Sequence, residues 1–315
     1  MKKIISILLL LSLCLSVMAP AALADGKLSV VATTFPIYDW TRQIIGDTEN
    51  IELTMLLDSG VDLHNYNPTV ADIRTVNHCD LFIYIGGESD AWVEDVLRMG
   101  GSDSRVVLCL MDALGENAKA EEIVEGMETE EEEEEEEAND EHIWLSLRNA
   151  RLLVSVLADA LAELDPDHAD AYRANAAAYD AQLSDLDGRY AEMVDSAAYK
   201  TLLFCDRFPF RYFVDDYGLS YYAAFPGCNA AADISISTIR FLREKADELQ
   251  LPAVLIIDGS DTRFAETILR ESQDQNKKII AVDSMQGTTS ADVAEGKTYL
   301  SIMESNLEAF RDALN

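Results

Sequence analysis

Short apolar, β-branched runs alternate along this chain with stretches whose apolar residues recur every three or four positions, and the alternation occurs twice. In the first half, residues 27–34 (KLSVVATT) predict a buried strand closed by Phe35-Pro36, followed by a helix over 38–45. Further strands are predicted at 51–57, 81–85 and 106–110, with helices at 69–77 and 92–99. The second half repeats the rhythm, with strands at 201–205, 219–225, 253–257 and 278–282 and helices at 210–216, 237–249, 263–272 and 299–314. Strands separated by helices imply parallel sheets covered on both faces, and in such sheets sites form in the loops beyond the carboxyl ends of the strands. The predicted class is α/β, with two lobes, each a mostly parallel sheet flanked by helices.

Between the halves, Asp165-Pro166 supplies an N-cap and a proline at the first helical position. Tyr172, Tyr179, Leu183, Leu186, Tyr190 and Met193 then recur at spacings of three, four and seven. Residues 165–196 therefore predict one helix of roughly 45 Å, longer than one lobe needs, running as a backbone along both. The expected organisation is a signal peptide at 1–24, an N-terminal lobe at 25–164, the linking helix at 165–196 and a C-terminal lobe at 197–315. The signal reading rests on Met1-Lys2-Lys3, the apolar run 4–17 and the small-x-small Ala22-Leu23-Ala24. Leu13 before Cys14 is not the small residue that lipid attachment requires. No later segment approaches ~18 consecutive apolar residues, so the mature chain is expected to be soluble and extracytoplasmic (secreted, periplasmic or cell-surface associated).

Charge narrows the partners. The full chain carries a formal −34, and removing 1–24 takes two lysines and no acid, leaving −36. Such a surface repels nucleic acid and anionic headgroups and attracts cations. The unbroken glutamate run 130–137 sits in a loop of about 126–140 that is expected to be disordered, either a solvated charge run or a weak cation-collecting arm beside His142. Cys79, Cys109, Cys205 and Cys228 remain after the signal; outside the cytosol any of them could pair, and no CxxC is present.

Only four histidines occur in the chain, and two share one setting. His64 (SGVDLHNYNPT) and His142 (DEHIWLS) each lie in a short polar turn ahead of a helical stretch, and neutral imidazole is the commonest protein ligand for zinc. His168, among carboxylates at the start of the long helix, reads as a surface residue. His78 beside Cys79 reads as structural, because sequence neighbours point apart in extended chain. The second half offers Cys205 or Asp206, and Asp283, at strand ends. Two imidazoles with a thiolate or carboxylate and one further carboxylate suit Zn²⁺ best, and Mn²⁺ less well if sulfur takes part.

SGVDLHNYNPT, DEHIWLSLRNA, CDRFPFRYFVDDYGL and the VDSM…TYLSIMESNLEAF ending resemble, in order across the mature chain, the zinc/manganese-binding solute-binding proteins of metal ABC importers (cluster A-I type). The resemblance implies that His64 and His142 ligate metal, that Asp283 supplies the fourth ligand, and that the long helix limits lobe closure to a small tilt. It also implies a metal-attracting insertion, usually histidine-rich, where this chain has its glutamate run. The third ligand of such proteins is a histidine or glutamate, and Cys205 occupies that position here. Three outcomes are open: Cys205 binds the ion, Asp206 or Asp258 replaces it, or the site is three-coordinate plus water. A Cys205–Cys228 disulfide would remove the thiolate. The implied function is capture of Zn²⁺, or Mn²⁺, between two lobes and delivery to a membrane permease and its ATPase by a non-enzymatic monomer. The rivals are a secreted zinc hydrolase using Glu141 or Asp62 as general base, and a metal buffer or adhesin without a transporter. The chain has neither HExxH nor a Gly-rich phosphate loop to support catalysis.

Overall fold

The computed structural model describes residues 27–102, 104–128, 138–227 and 234–315. The signal segment 1–24, the glutamate run 130–137 and Cys228 lie outside these. The first lobe is built from β1 (Leu28–Ala32), α1 (Phe35–Ile45), β2 (Ile51–Met55), α2 (Val70–His78), β3 (Leu81–Tyr84), α3 (Trp92–Arg98), β4 (Val106–Cys109) and a short α4 (Leu110–Leu114). Then come α5 (Leu147–Leu164) and the long α6 (Ala169–Ser196), which pack against each other. The second lobe contains β5 (Thr201–Phe208), α7 (Arg211–Tyr217), β6 (Ser220–Pro226), α8 (Ile236–Glu248), β7 (Ala253–Ile257), α9 (Arg263–Glu271), β8 (Lys278–Val282), α10 (Ser290–Ala294) and α11 (Tyr299–Ala313).

Each lobe holds a four-stranded parallel sheet, ordered β2-β1-β3-β4 and β6-β5-β7-β8, so the two have the same topology. The crossovers diverge to either side of β1 and β5, which opens a crevice beyond their carboxyl ends. The long helix starts later than predicted. Pro166–His168 forms a 3₁₀ turn ahead of α6, and the Asp165 carboxylate accepts from Tyr172 Oη at 2.6 Å and faces His168 Nδ1 at 2.8 Å. His168 lies partly exposed at the surface.

β5 departs from prediction in a way that matters for the site. It runs past Cys205 to Phe208 through a register shift between Phe204 and Arg207. Alternation along it sends Leu202, Phe204 and Phe208 into one apolar cluster and Leu203 and Cys205 into another. The smaller cluster lies beneath α8 and α9, with Leu242 and Ile268. The larger spans both lobes and includes Trp40, Trp144, Tyr172, Tyr190, Tyr299 and Phe310. Hydrogen bonds stitch its polar edges: Tyr299 Oη donates to Trp144 O at 2.7 Å, and Trp144 Nε1 donates to Ser284 O at 2.9 Å. The lobes thus share one core. No described helix is long and apolar enough to cross a membrane.

Candidate metal centre

His64 lies in a single 3₁₀ turn, Leu63–Asn65, in the loop beyond β2. Asp62 starts that turn by accepting from the His64 backbone N–H at 3.1 Å. His142 precedes another 3₁₀ turn, Ile143–Leu145, which leads into α5; Ser146 caps that helix by accepting from Asn149 N. Upstream, Lys119 O accepts from Asp140 N at 2.8 Å, so the two arms flanking the acidic stretch meet just before His142. Tyr212 of the second lobe donates its hydroxyl to Asp140 O at 2.9 Å. The second imidazole is therefore fixed from both lobes.

The ring chemistry follows from the partners. Asp140 Oδ1 accepts from the His142 backbone N–H at 2.8 Å and lies 2.9 Å from its Nδ1. A carboxylate can only accept, so Nδ1 carries the proton and Nε2 keeps its lone pair. His64 Nδ1 is 2.7 Å from Ser89 Oγ and 3.7 Å from Glu141 Oε2, which favours the same tautomer. The two Nε2 atoms then face each other at 3.2 Å, with no proton between them. Two nitrogens bound at 2.0–2.1 Å to a tetrahedral Zn²⁺ would be about 3.3 Å apart. The pair already has that spacing.

Gln286, in the loop after β8, completes the cluster: its Nε2 lies 3.0 Å from His64 Nε2 and 2.9 Å from His142 Nε2. Ser284 Oγ donates to the amide oxygen at 2.8 Å, which turns the amide N–H groups toward the rings. The same loop is tightly held. Asn306 accepts from Asp283 N at 2.9 Å and donates to Asp283 O at 2.8 Å, while Asp283 Oδ1 accepts from Met285 N at 2.7 Å. Met285, buried, has φ +62, a left-handed conformation that costs a residue with a Cβ about 1–2 kcal/mol. That strain aims Gln286 at the imidazoles.

Behind His64, Glu141 is 1 % exposed; one carboxylate oxygen accepts from Ser89 N at 2.7 Å and the other has no hydrogen-bond partner among the described residues. Burial raises its pKa. A Cβ at Gly87, whose φ is +90, would come within 2.6 Å of this carboxylate, so glycine is required for the approach. Asp90, also buried, is pushed by burial up to about 7. His64 moves the other way: burial first, then the His142 ring and the Arg207 guanidinium, drive its pKa down to about 3 against the pull of Asp62.

Of the four ligands expected from sequence, the structure brings His64 and His142 together and separates Cys205 from them. The Cys205 thiol points into the small apolar cluster, where burial raises its pKa, so it is neither ionised nor directed at the imidazoles. Asp206, the alternative, accepts from Arg207 N and from Ile257 N at 3.2 Å. Asp283 and Asp258 line a cavity of about 380 Å³ with Gln286, Asp62, Arg207 and Lys297. Burial raises Asp283, a backbone hydrogen bond from Met285 opposes this, and neighbouring Asp258 adds to the rise. Among the described residues, no three His, Cys, Asp or Glu side chains gather closely enough to hold an ion. Cys79, Cys109 and Cys205 are not joined to one another, and the Cys205–Cys228 pairing falls outside the described residues. Sequence reasoning passed over Gln286, Ser89 and Arg207.

Two parallel-sheet lobes with a shared core, and two imidazoles whose Nε2 atoms face each other, define the two-lobed α/β architecture of the solute-binding class. A family profile described as zinc-uptake complex component A, periplasmic (ZnuA) matches residues 30–313, and the chain belongs to that family. It is 31 % identical to the zinc-binding lipoprotein AdcA of Streptococcus pneumoniae over 99 % of this chain and 61 % of that protein, and 29 % identical to the high-affinity zinc uptake system protein ZnuA of Bacillus subtilis over 91 % and 88 %. The chain thus spans about three-fifths of the AdcA proteins it matches. Among solved structures, the Zn(II)-bound ZnuA-like domain of Streptococcus pneumoniae AdcA matches with a TM-score of 0.72 at 28 % identity, covering 92 % of this chain and 99 % of that one. The metal-dependent lipoprotein YcdH of Bacillus subtilis matches with a TM-score of 0.75 at 26 % identity, covering 91 % and 99 %.

Proposed function

We propose that this protein is the extracytoplasmic receptor of a zinc uptake system, binding one Zn²⁺ between its lobes and presenting it to the permease and ATPase of an ABC importer. Mn²⁺ is the secondary cargo. His64 and His142 supply two nitrogens, and the second lobe supplies oxygen from Gln286 after its amide turns over, with Asp283 at the edge of the same cavity. Cys205 takes no part. The observation that carries this reading is the 3.2 Å approach of two Nε2 lone pairs, which match one edge of a zinc coordination sphere. The family membership and the zinc-binding relatives support the same cargo. We also read the protein as a non-enzyme. Glu141 sits behind His64 on its Nδ1 side, away from the point where the two Nε2 atoms converge, and is not placed as a general base.

Competition titration against a chromophoric zinc chelator tests this. His142→Ala is expected to lower zinc affinity by ~100-fold or more, and Cys205→Ser by less than ~3-fold, because a ligand loss exceeds a remote packing change. The reverse order would move the site to the sulfur.

A further inference from the structure

The loop that carries His64 also carries a carboxylate two residues earlier, and that carboxylate is occupied. Asp62 Oδ1 accepts from His64 N at 3.1 Å, and its Oδ2 is paired with the Arg207 guanidinium of the opposite lobe. Arg207 reaches the cleft because β5 shifts register between Phe204 and Arg207. Asp206 anchors the bend, accepting from Arg207 N at 2.8 Å and from Ile257 N at 3.2 Å. The pair is mostly shielded, with the two side chains 16 % and 19 % exposed. Both residues line the cavity that Gln286 enters to touch the imidazoles.

Other charges also line this cavity. Asp283 Oδ1 accepts from Met285 N, and Lys297 pairs with Asp292 at 2.9 Å; Asp258 stands on the same wall as Asp283. The groups in contact at the point between the imidazoles are two ring nitrogens and the Gln286 amide, with Asp283 at the edge of the same cavity. Imidazole donors suit Zn²⁺, whereas each added carboxylate shifts preference toward harder cations such as Mn²⁺.

We propose that Arg207 is a specificity-determining residue, which acts by holding the Asp62 carboxylate away from the captured cation and so keeps the site selective for zinc. This rests on the receptor reading above. With Arg207 in place, Asp62 orients the His64 turn and neutralises the guanidinium. Without it, Asp62 is a free anionic oxygen beside His64, able to swing onto the ion. Removing Asp62 instead leaves a mostly buried guanidinium uncompensated next to the cargo, which repels any divalent cation.

The test is a competition titration of the whole mature chain with Zn²⁺ and with Mn²⁺, for wild type, Arg207→Gln, Asp62→Asn and the double variant. Arg207→Gln is expected to narrow the preference for Zn²⁺ over Mn²⁺ by ~10-fold or more, the range that groups contacting ligands command. Asp62→Asn is expected to weaken both ions. The double variant is expected to recover zinc affinity and to show no manganese gain. If Arg207→Gln is poorly folded by circular dichroism, Arg207→Lys, which keeps the charge and loses the planar fork, is expected to shift the preference in the same direction by a smaller factor. An unchanged preference in the folded variant, or a manganese gain that survives in the double variant, overturns the proposal. Wild type that binds neither ion would sink the receptor reading itself; wild type that binds zinc with an unchanged ratio in Arg207→Gln sinks only this one.

Discussion

Burial, the facing His142 ring and the Arg207 guanidinium keep His64 neutral down to about pH 3, where an unfolded histidine would protonate near ~6.5. The unfolded chain thus binds the proton more readily, so the stability held by neutral His64 is complete above ~6.5 and falls as pH drops toward 3. Asp90 has the opposite sign: its pKa of about 7 means that the stability from its bound proton is present at low pH and is lost as pH rises through that value. Comparing zinc-free wild type with His64→Gln removes most of the Asp90 contribution. The wild-type advantage in urea unfolding is expected to shrink by about 1.4 kcal/mol per pH unit between 6 and 4, and a flat difference would contradict the buried, neutral ring. The two histidines were legible because they are scarce and fall in polar loops at strand and helix ends. Gln286 was not, since an amide in a polar turn has no spacing that distinguishes it from an ordinary loop residue.

The loop from Asp283 to Gln286 is the element on which the site depends. Its backbone is clamped by Asn306, 2 % exposed, through one donated and one accepted hydrogen bond, and it contains the left-handed Met285. Asn306→Ala removes both bonds and leaves buried backbone groups unpaired. It is expected to cost about 2–3 kcal/mol in chemical denaturation and to weaken zinc binding by ~10-fold as Gln286 loses its aim. A destabilised variant with wild-type zinc affinity would show that this loop does not present the amide to the ion. β5 marks where element reading stopped short. The β-branched and apolar signal fades at Cys205, yet pairing with β6 carries the strand on to Phe208. Two-residue alternation puts Cys205 on the same face as Leu203, which the structure packs under α8, but which face looks toward the cleft depends on a partner sheet that periodicity does not identify.

At the scale of the molecule, the repeated strand–helix rhythm announced two sheets of the same build, and the two share one strand order whose diverging crossovers open a crevice. The single core joining them was not legible, because an apolar stripe records that a face is buried and not against what. Trp144, Tyr299 and Phe310 belong to one cluster with the sheets of both lobes, so swinging the lobes wide apart would expose aromatic surface worth about 2–3 kcal/mol per ring. We therefore expect small motions on loading and one cooperative thermal transition despite two sheets. Saturating zinc is expected to raise that transition as a unit, with ~4 kcal/mol of added stability at a thousand times Kd. Two resolved transitions, only one of which responds to zinc, would contradict the shared core. The formal charge of −34 over the whole surface favours cation encounter at low salt.

Anomalous diffraction at the zinc edge, from crystals grown with one equivalent of Zn²⁺, bears most directly on the central claim. The account predicts a single strong peak between His64 and His142, about 2.1 Å from each Nε2, with the Gln286 amide displaced or turned over beside it. A peak at the Cys205 sulfur, on the acidic surface, or nowhere would contradict it.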